Sequence, residues 1–373
     1  MSGRGVELAY AAGWKLVRLM PAGLARWIFR AAADQLTHRG NRGVWQLTRN
    51  LRRVVGPGPS EADLAELVRA GMRSYARYWL EAFRLPAVPP QVMTETFHLT
   101  TPELLDTVAG GCVLALPHAA NWEHAGVWAT SQGIRLTAVA ERLQPEGLYQ
   151  RFVAYRQRLG MEILPTRGPD RATIDTLAER LRDGGVVALL ADRDMSSRGV
   201  PVTFFGHPTR MPPGPALLAI QTGRPLIVVS LWFGDDGTYA KLTGPLPVPA
   251  EGALSERVAT LTQRVADELA AGIAAHPADW HMLSRLWLDD RPRAAADAPG
   301  QQAPTTAGDA RGQQAPAAAA DGAVVEDGGL DDAPIAGRSV DESASGAPAD
   351  AAASPRTVPV ADEAGRDTST GVR

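Results

Sequence analysis

His118 and Glu123 are the residues best suited to chemistry. They are separated by Ala119-Ala120-Asn121-Trp122 and follow the apolar run Val113-Leu114-Ala115-Leu116-Pro117. A histidine oriented by a carboxylate can take the proton of a hydroxyl, the opening step of a group transfer. On one continuous helix, five positions turn through about 500°, which leaves the two side chains roughly 140° apart. They can meet only across a turn. Pro117 disfavours helix at Leu116, and Asn121 suits the N-cap of a helix beginning near Trp122, so the sequence predicts His118 on a strand-to-helix loop. From there Glu123 is expected to hold one imidazole nitrogen and leave the other free as a general base. The competing reading is a surface or core histidine followed by an unrelated glutamate.

A second cluster, Asp192-Arg193-Asp194, follows the apolar run Val186–Leu190. The carboxyl end of a strand is where open α/β sheets place their ligands, which makes Asp192, Arg193 and Asp194 candidates for substrate binding. Two other readings compete. The aspartates could hold a metal with His118 and His207, although no spacing here matches an established ligand framework and no metal is expected. They could also be ordinary partners of arginine.

The elements that must position these groups alternate. Candidate strands are Gly111–Leu116, Leu136–Ala140, Val186–Ala191, Val202–Phe205 and Leu226–Phe233. Candidate helices are Glu61–Phe83, Trp122–Gln132, Pro145–Leu159, Ala172–Asp183, Pro215–Thr222 and Ser255–Ala275. This alternation predicts an α/β fold with a mostly parallel central sheet flanked by helices. Residues 1–90 are expected to be an amphipathic helical lead-in, residues 91–290 the α/β core, and residues 291–373 a tail. There is no internal repeat and no glycine-rich nucleotide fingerprint.

Charge divides the chain as well. The segment from Arg291 onward has no aromatic residue and a net charge of −6, against +3 for the first 290 residues. Such a tail cannot bury enough apolar surface to offset its ordering entropy and is expected to be disordered. Residues 1–53 carry ten basic side chains against Glu7 and Asp34, a net charge of +8. Lys15, Arg18, Arg26 and Arg30 share one helical face, while Trp14, Val17, Leu24, Trp27 and Ile28 lie largely on another, and Pro21 is expected to divide the segment into two helices. Aromatic anchors beside arginines suit a helix lying in the headgroups of an anionic bilayer, with Trp14, Lys15, Arg18, Arg26, Trp27 and Arg30 as the contacts. Packing of the same helix on its own domain would give the same pattern. No apolar run approaches the roughly 20 residues that cross a bilayer, and the arginines rule out a secretory signal, so a peripheral location on the cytoplasmic face is expected. One cysteine, Cys112, excludes an internal disulfide and reads as packing.

The combined motifs bring a family into view. With His118 to Glu123 go Glu141-Arg142-Leu143, Arg156 within Tyr155-Arg156-Gln157-Arg158-Leu159-Gly160, and Asp192-Arg193-Asp194. To these add Phe204-Phe205-Gly206-His207-Pro208-Thr209 and Pro277-Ala278-Asp279-Trp280-His281. Over about residues 5–290 the chain resembles the lysophospholipid acyltransferase superfamily, in the branch shared by bacterial lipid A late acyltransferases and actinobacterial phosphatidylinositol mannoside acyltransferases. Arg193, where the lipid A enzymes usually carry glutamine, and the wording from Leu116 to His124 favour the mannoside enzymes.

The resemblance implies transfer of a palmitoyl group from acyl-CoA, a co-substrate rather than a bound cofactor. The acceptor it implies is the 6-hydroxyl of the mannose on the 2-position of inositol in a phosphatidylinositol mannoside. His118 would act as base and Glu123 would hold it. Glu141 and Arg156 would lie beside the active site and orient the acceptor or its catalytic surroundings, Asp192 would contact sugar hydroxyls or position a neighbouring arginine, and backbone N–H groups near the start of the next helix would meet the oxyanion. The expected partners are acyl-CoA, the glycolipid acceptor and an anionic membrane surface, with no nucleic acid. Two alternatives are a lipid A-type or lysophospholipid acyltransferase with another acceptor, and a lipid-binding protein without catalysis. A serine hydrolase is disfavoured, since no G-x-S-x-G elbow occurs.

Overall fold

A computed structural model describes residues 13–140, 146–165, 173–194 and 199–290. Glu141 and the tail from residue 291 lie outside the described residues. The helices are α1 (Ala22–Arg39), α2 (Arg42–Val55), α3 (Glu61–Arg84), α4 (Pro90–Glu95), α5 (Leu105–Ala109), α6 (Trp122–Ser131), α7 (Glu146–Arg158), α8 (Thr173–Arg182), α9 (Gly214–Thr222) and α10 (Leu254–Ala275). The strands are β1 (Phe97–Leu99), β2 (Val113–Leu116), β3 (Leu136–Ala140), β4 (Glu162–Pro165), β5 (Val186–Leu190), β6 (Val200–Phe204), β7 (His207–Met211), β8 (Leu226–Phe233) and β9 (Thr238–Thr243).

Seven strands form one sheet in the order β1-β9-β8-β2-β5-β3-β4. Every neighbouring pair is parallel except β8 with β9. Alternate side chains send two apolar cores to opposite faces. Val113, Ala115, Val187 and Val228 join the core covered by α8, α9 and α10. Leu116, Ala138, Ala140, Val229 and Leu242 face α6. The expected mostly parallel sheet between helices is present.

One expected strand belongs elsewhere. Val202–Phe205 is not a strand of the sheet, because β6 turns at Phe205-Gly206 and pairs antiparallel with β7 in a separate hairpin. Both turn residues have positive φ, 50° and 75°, the conformation that a two-residue hairpin turn needs. Phe205 gives no warning of it, since a bulky residue seldom adopts positive φ.

The helical lead-in is built by local caps. Pro21 precedes α1 and separates it from the helical turn at residues 13–19. The Asn41 side chain accepts from Val44 N–H at 2.9 Å, and Ser60 forms a capping box with Asp63. An Arg73–Asp34 pair at 2.6 Å links α3 to α1, and Asp290 accepts from Arg49 and Arg53 of α2.

Two of the expected membrane contacts turn inward. Trp14 donates its indole N–H to the carbonyl of Phe83 at 2.8 Å, and Arg18 donates to the same oxygen at 3.0 Å. Trp14 also packs against Phe83, Phe152 and Tyr155, so both residues staple the N-terminal turn to α3 rather than facing outward. The reason is that the last turn of a helix leaves carbonyls without partners. Lys15, Arg26 and Arg30 are exposed, as are Leu16, Leu19, Leu24 and Trp27, the last at 67%. No described helix is long and apolar enough to cross a membrane.

Candidate active site

β2 and β5 are neighbours in register, with Leu116 opposite Leu190. Two residues past each strand end come His118 and Asp192, so the sheet itself brings them together. His118 Nδ1 lies 2.5 Å from one Asp192 oxygen, and the other oxygen accepts from His118 N–H at 2.9 Å and from the Trp280 indole at 2.8 Å. Asp192 is wholly buried. Burial alone raises its pKa, but the facing His118 charge and the hydrogen bonds from His118 and Trp280 outweigh it and hold the carboxyl below its ordinary value. His118 Nε2 has no hydrogen-bond partner among the described residues and belongs to a ring that lines a cavity.

The expected contact between His118 and Glu123 is absent. Asn121 caps α6 by accepting from His124 N–H at 3.0 Å, as its sequence position predicts. That start sends Glu123 down the inner side of α6, where Arg156 of α7 reaches one oxygen through Nε at 3.1 Å and through a terminal nitrogen at 3.0 Å. The other Glu123 oxygen is buried without a hydrogen bond. Burial raises this carboxyl, and Arg156 with a smaller contribution from the nearby Tyr78 hydroxyl pulls it back, leaving a net upward shift. Arg156 also lies over the Trp122 ring, 4.6 Å from its centroid, and faces the cavity. Glu123 thus orients Arg156, and Asp192 takes the position beside the imidazole.

The loop carrying His118 is clamped by the segment after α10. Ala119 and Trp280 form an antiparallel bridge, His281 N–H donates to His118 carbonyl at 2.8 Å, and Ala120 N–H donates to Asp279 carbonyl at 3.0 Å. The clamp supports Ala120 at φ 45°, an unfavourable conformation for a residue with a Cβ. Ser74 of α3 gives its single hydroxyl proton to Asp279 at 2.6 Å, so it receives the Nε2 proton of His281 at 2.9 Å. Burial, with the nearby His118, lowers the His281 pKa to about 3, so its ring is neutral at pH 7.

The cavity measures about 300 Å³. Its polar lining is made by His118, His281, Arg193, Arg156, Tyr75 and Tyr78. The rest of its wall is apolar, made by one face of the sheet, Leu114 and Leu116, Ala138 and Ala140, Ala188 and Leu190, Ala240 and Leu242, with α6 opposite. Alanines on three strands leave the space that larger residues would fill. Polar chemistry at one end and an apolar trough at the other suit an activated fatty acid.

Of the expected site residues, His118, Arg193 and Arg156 line this cavity, and Asp192 lies buried behind the His118 ring. Asp194 instead accepts from Gly199 N–H at 2.9 Å within its own loop and is not part of the cavity wall. Ser74, Tyr75, Tyr78 and His281 belong to the site without a local sequence signal that assigns them to it. Asp279, Trp280 and His281 stood out only as carriers of a resemblance, and α3 reads from sequence as a lead-in.

A histidine held by a buried aspartate beside an apolar trough in an α/β sheet is an arrangement that suits an acyl-transfer enzyme. Residues 2–289 match the family described as bacterial lipid A biosynthesis acyltransferase, and the chain belongs to that family. It is an acyltransferase, which removes the reading as a lipid-binding protein without catalysis. It is 47% identical over 293 residues to the phosphatidylinositol mannoside acyltransferase of Mycolicibacterium smegmatis, a match covering 78% of this chain and 94% of that one. The protein of the same name from Mycobacterium tuberculosis strain H37Rv is 44% identical over 297 residues, covering 76% and 89%.

Proposed function

We propose that the protein transfers a long-chain acyl group, palmitoyl in the reading favoured here, from acyl-CoA to the 6-hydroxyl of mannose on the inositol 2-position of a phosphatidylinositol mannoside. The observation that carries this is the unpartnered His118 Nε2 at the junction of a polar mouth and an apolar trough, with Nδ1 fixed by buried Asp192. The names of the relatives support the acceptor class. Nε2 takes the mannose hydroxyl proton as its oxygen attacks the thioester carbonyl. The tetrahedral intermediate then expels the CoA sulfur, which takes the proton back from the imidazolium. A positioned base of this kind contributes about 10²–10⁴-fold. Purified protein given palmitoyl-CoA and vesicles containing phosphatidylinositol dimannoside should yield one added palmitoyl ester on mannose by mass spectrometry, and His118→Ala should lose rate on that scale. Equal or better transfer to a lysophospholipid or a lipid A precursor would replace the acceptor assignment.

The trough sets chain length. Each buried methylene contributes about 0.8 kcal/mol, or about fourfold in preference. Ala138→Leu raises the floor and is expected to shift the preferred donor from palmitoyl-CoA toward shorter acyl-CoAs in a competition assay read by product mass. An unchanged preference would mean that the chain lies elsewhere.

We also infer a peripheral location on the cytoplasmic face of an anionic membrane, supported by exposed Leu19, Leu24 and Trp27 beside Lys15, Arg26 and Arg30. Burying one large apolar side chain contributes about 1.5–3 kcal/mol. The pair Leu19→Asp and Trp27→Asp together should therefore weaken binding to anionic vesicles by about 10²-fold or more in a sedimentation assay, without lowering the melting temperature.

A further inference from the structure

Attack on a thioester turns a neutral carbonyl oxygen into an alkoxide, and that charge needs a donor held in place beforehand. The amides next to His118 are spent: His118 N–H on Asp192, Ala119 N–H on the Pro117 carbonyl, and Ala120 N–H on the Asp279 carbonyl. The His124 amide is taken by Asn121. Two guanidinium groups line the cavity, Arg156 and Arg193. Arg156 is paired with Glu123. Arg193 has no carboxylate within ion-pair distance among the described residues, its Nε–H is buried with no acceptor, and a terminal nitrogen is tethered to Ser284 Oγ at 2.7 Å.

We propose that Arg193 is the oxyanion donor of the acyl transfer, its buried Nε–H and positive charge meeting the oxygen of the tetrahedral intermediate beside His118. The assignment rests on the acyl-transfer reading above. A buried donor left without an acceptor is costly in the resting protein, and the reacting carbonyl supplies the missing partner only when substrate is bound. Position supports it, since Arg193 directly follows Asp192 and the Ser284 bond restrains the side chain that reaches the cavity.

The test separates this role from binding of the coenzyme's phosphates. Arg193→Gln should lower kcat by about 10²–10³-fold with little change in KM, equally for palmitoyl-CoA and for palmitoyl-N-acetylcysteamine, a thioester without phosphates. Its pH profile of kcat/KM should keep the shape of the parent's, because the histidine and its aspartate are untouched. Arg193→Lys, which keeps the charge but not the Nε–H, should fall between the two and serves if the glutamine variant melts early. A raised KM for palmitoyl-CoA alone would make Arg193 a phosphate ligand, a displaced pH profile would make it a support of Asp192, and an unchanged kcat would leave the amides of residues 121–123 as donors. Each of these overturns the proposal. Parent protein that acylates no acceptor from either thioester would instead overturn the function itself.

Discussion

Asp192→Asn is expected to lower kcat by about 10⁴-fold while leaving the fold intact. One Asp192 oxygen accepts two hydrogen bonds, from His118 N–H and from the Trp280 indole, and only an oxygen can fill that place. In the variant the amide oxygen must therefore stay there, which turns the NH₂ toward His118 Nδ1. Nδ1 then has to accept, the ring proton moves to Nε2, and the atom that should receive the mannose proton already carries one. Where a buried aspartate holds a histidine base, reversal of the tautomer has cost about this much. The substitution is nearly isosteric, keeps two of the three hydrogen bonds and reverses the third, so the melting temperature should fall by only a few degrees. The lowered pKa of Asp192 gives the sign of its linkage. Its contribution to stability is present above the ordinary carboxylate value of about 4 and fades as pH drops through the lower folded value, so near neutral pH the variant lacks the whole of that contribution. Steady-state turnover on vesicle-borne acceptor, with melting curves in parallel, checks the prediction. A variant retaining a tenth of the parent's kcat would remove Asp192 from its place beside the base.

The distance between expectation and structure lies in this same pair. Strand β2, the turn at Pro117 and the Asn121 cap were legible because each depends on a few neighbouring residues. Asp192 was legible as a strand-end carboxylate. Its nearness to His118 was not, because β5 is the third strand after β2 to be met in sequence yet inserts between β2 and β3. Strand order is a long-range packing outcome that a local pattern does not carry. The short strands β1 and β4 passed unseen for a different reason. Phe97–Leu99 is too short to show a period, and Glu162–Pro165 places a glutamate and a proline at a sheet edge, where neither spoils a pairing. Trp14 shows the limit of amphipathic patterns. An indole on an apolar helix face serves a membrane or its own domain equally well, and an unpaired carbonyl at the end of α3 decided the matter.

Glu123 and Arg156 form the second unit on which the site stands, and it should respond as a pair. Glu123 is 1% exposed and Arg156 14%, so neither charge has water to fall back on. Arg156→Met leaves a buried carboxyl with no cation. Loss of one partner of such a pair costs about 3–5 kcal/mol, relieved in part if the acid takes up a proton, a direction in which burial already drives it. Glu123→Gln removes the charge at its source and should cost less, because Arg156 keeps the Trp122 ring beneath it. The double variant should regain most of what Arg156→Met loses, giving a coupling energy well above the 0.5 kcal/mol expected of independent sites in urea unfolding. The same variants assign the chemistry. With no contact to His118, Glu123→Gln should keep kcat within about tenfold of the parent, a difference of about 1.4 kcal/mol, far from the loss at Asp192. A Glu123→Gln protein that folds normally but loses as much turnover as Asp192→Asn would return this carboxylate to the reacting atoms, since a role limited to holding Arg156 cannot produce a loss of that size without a matching loss of stability.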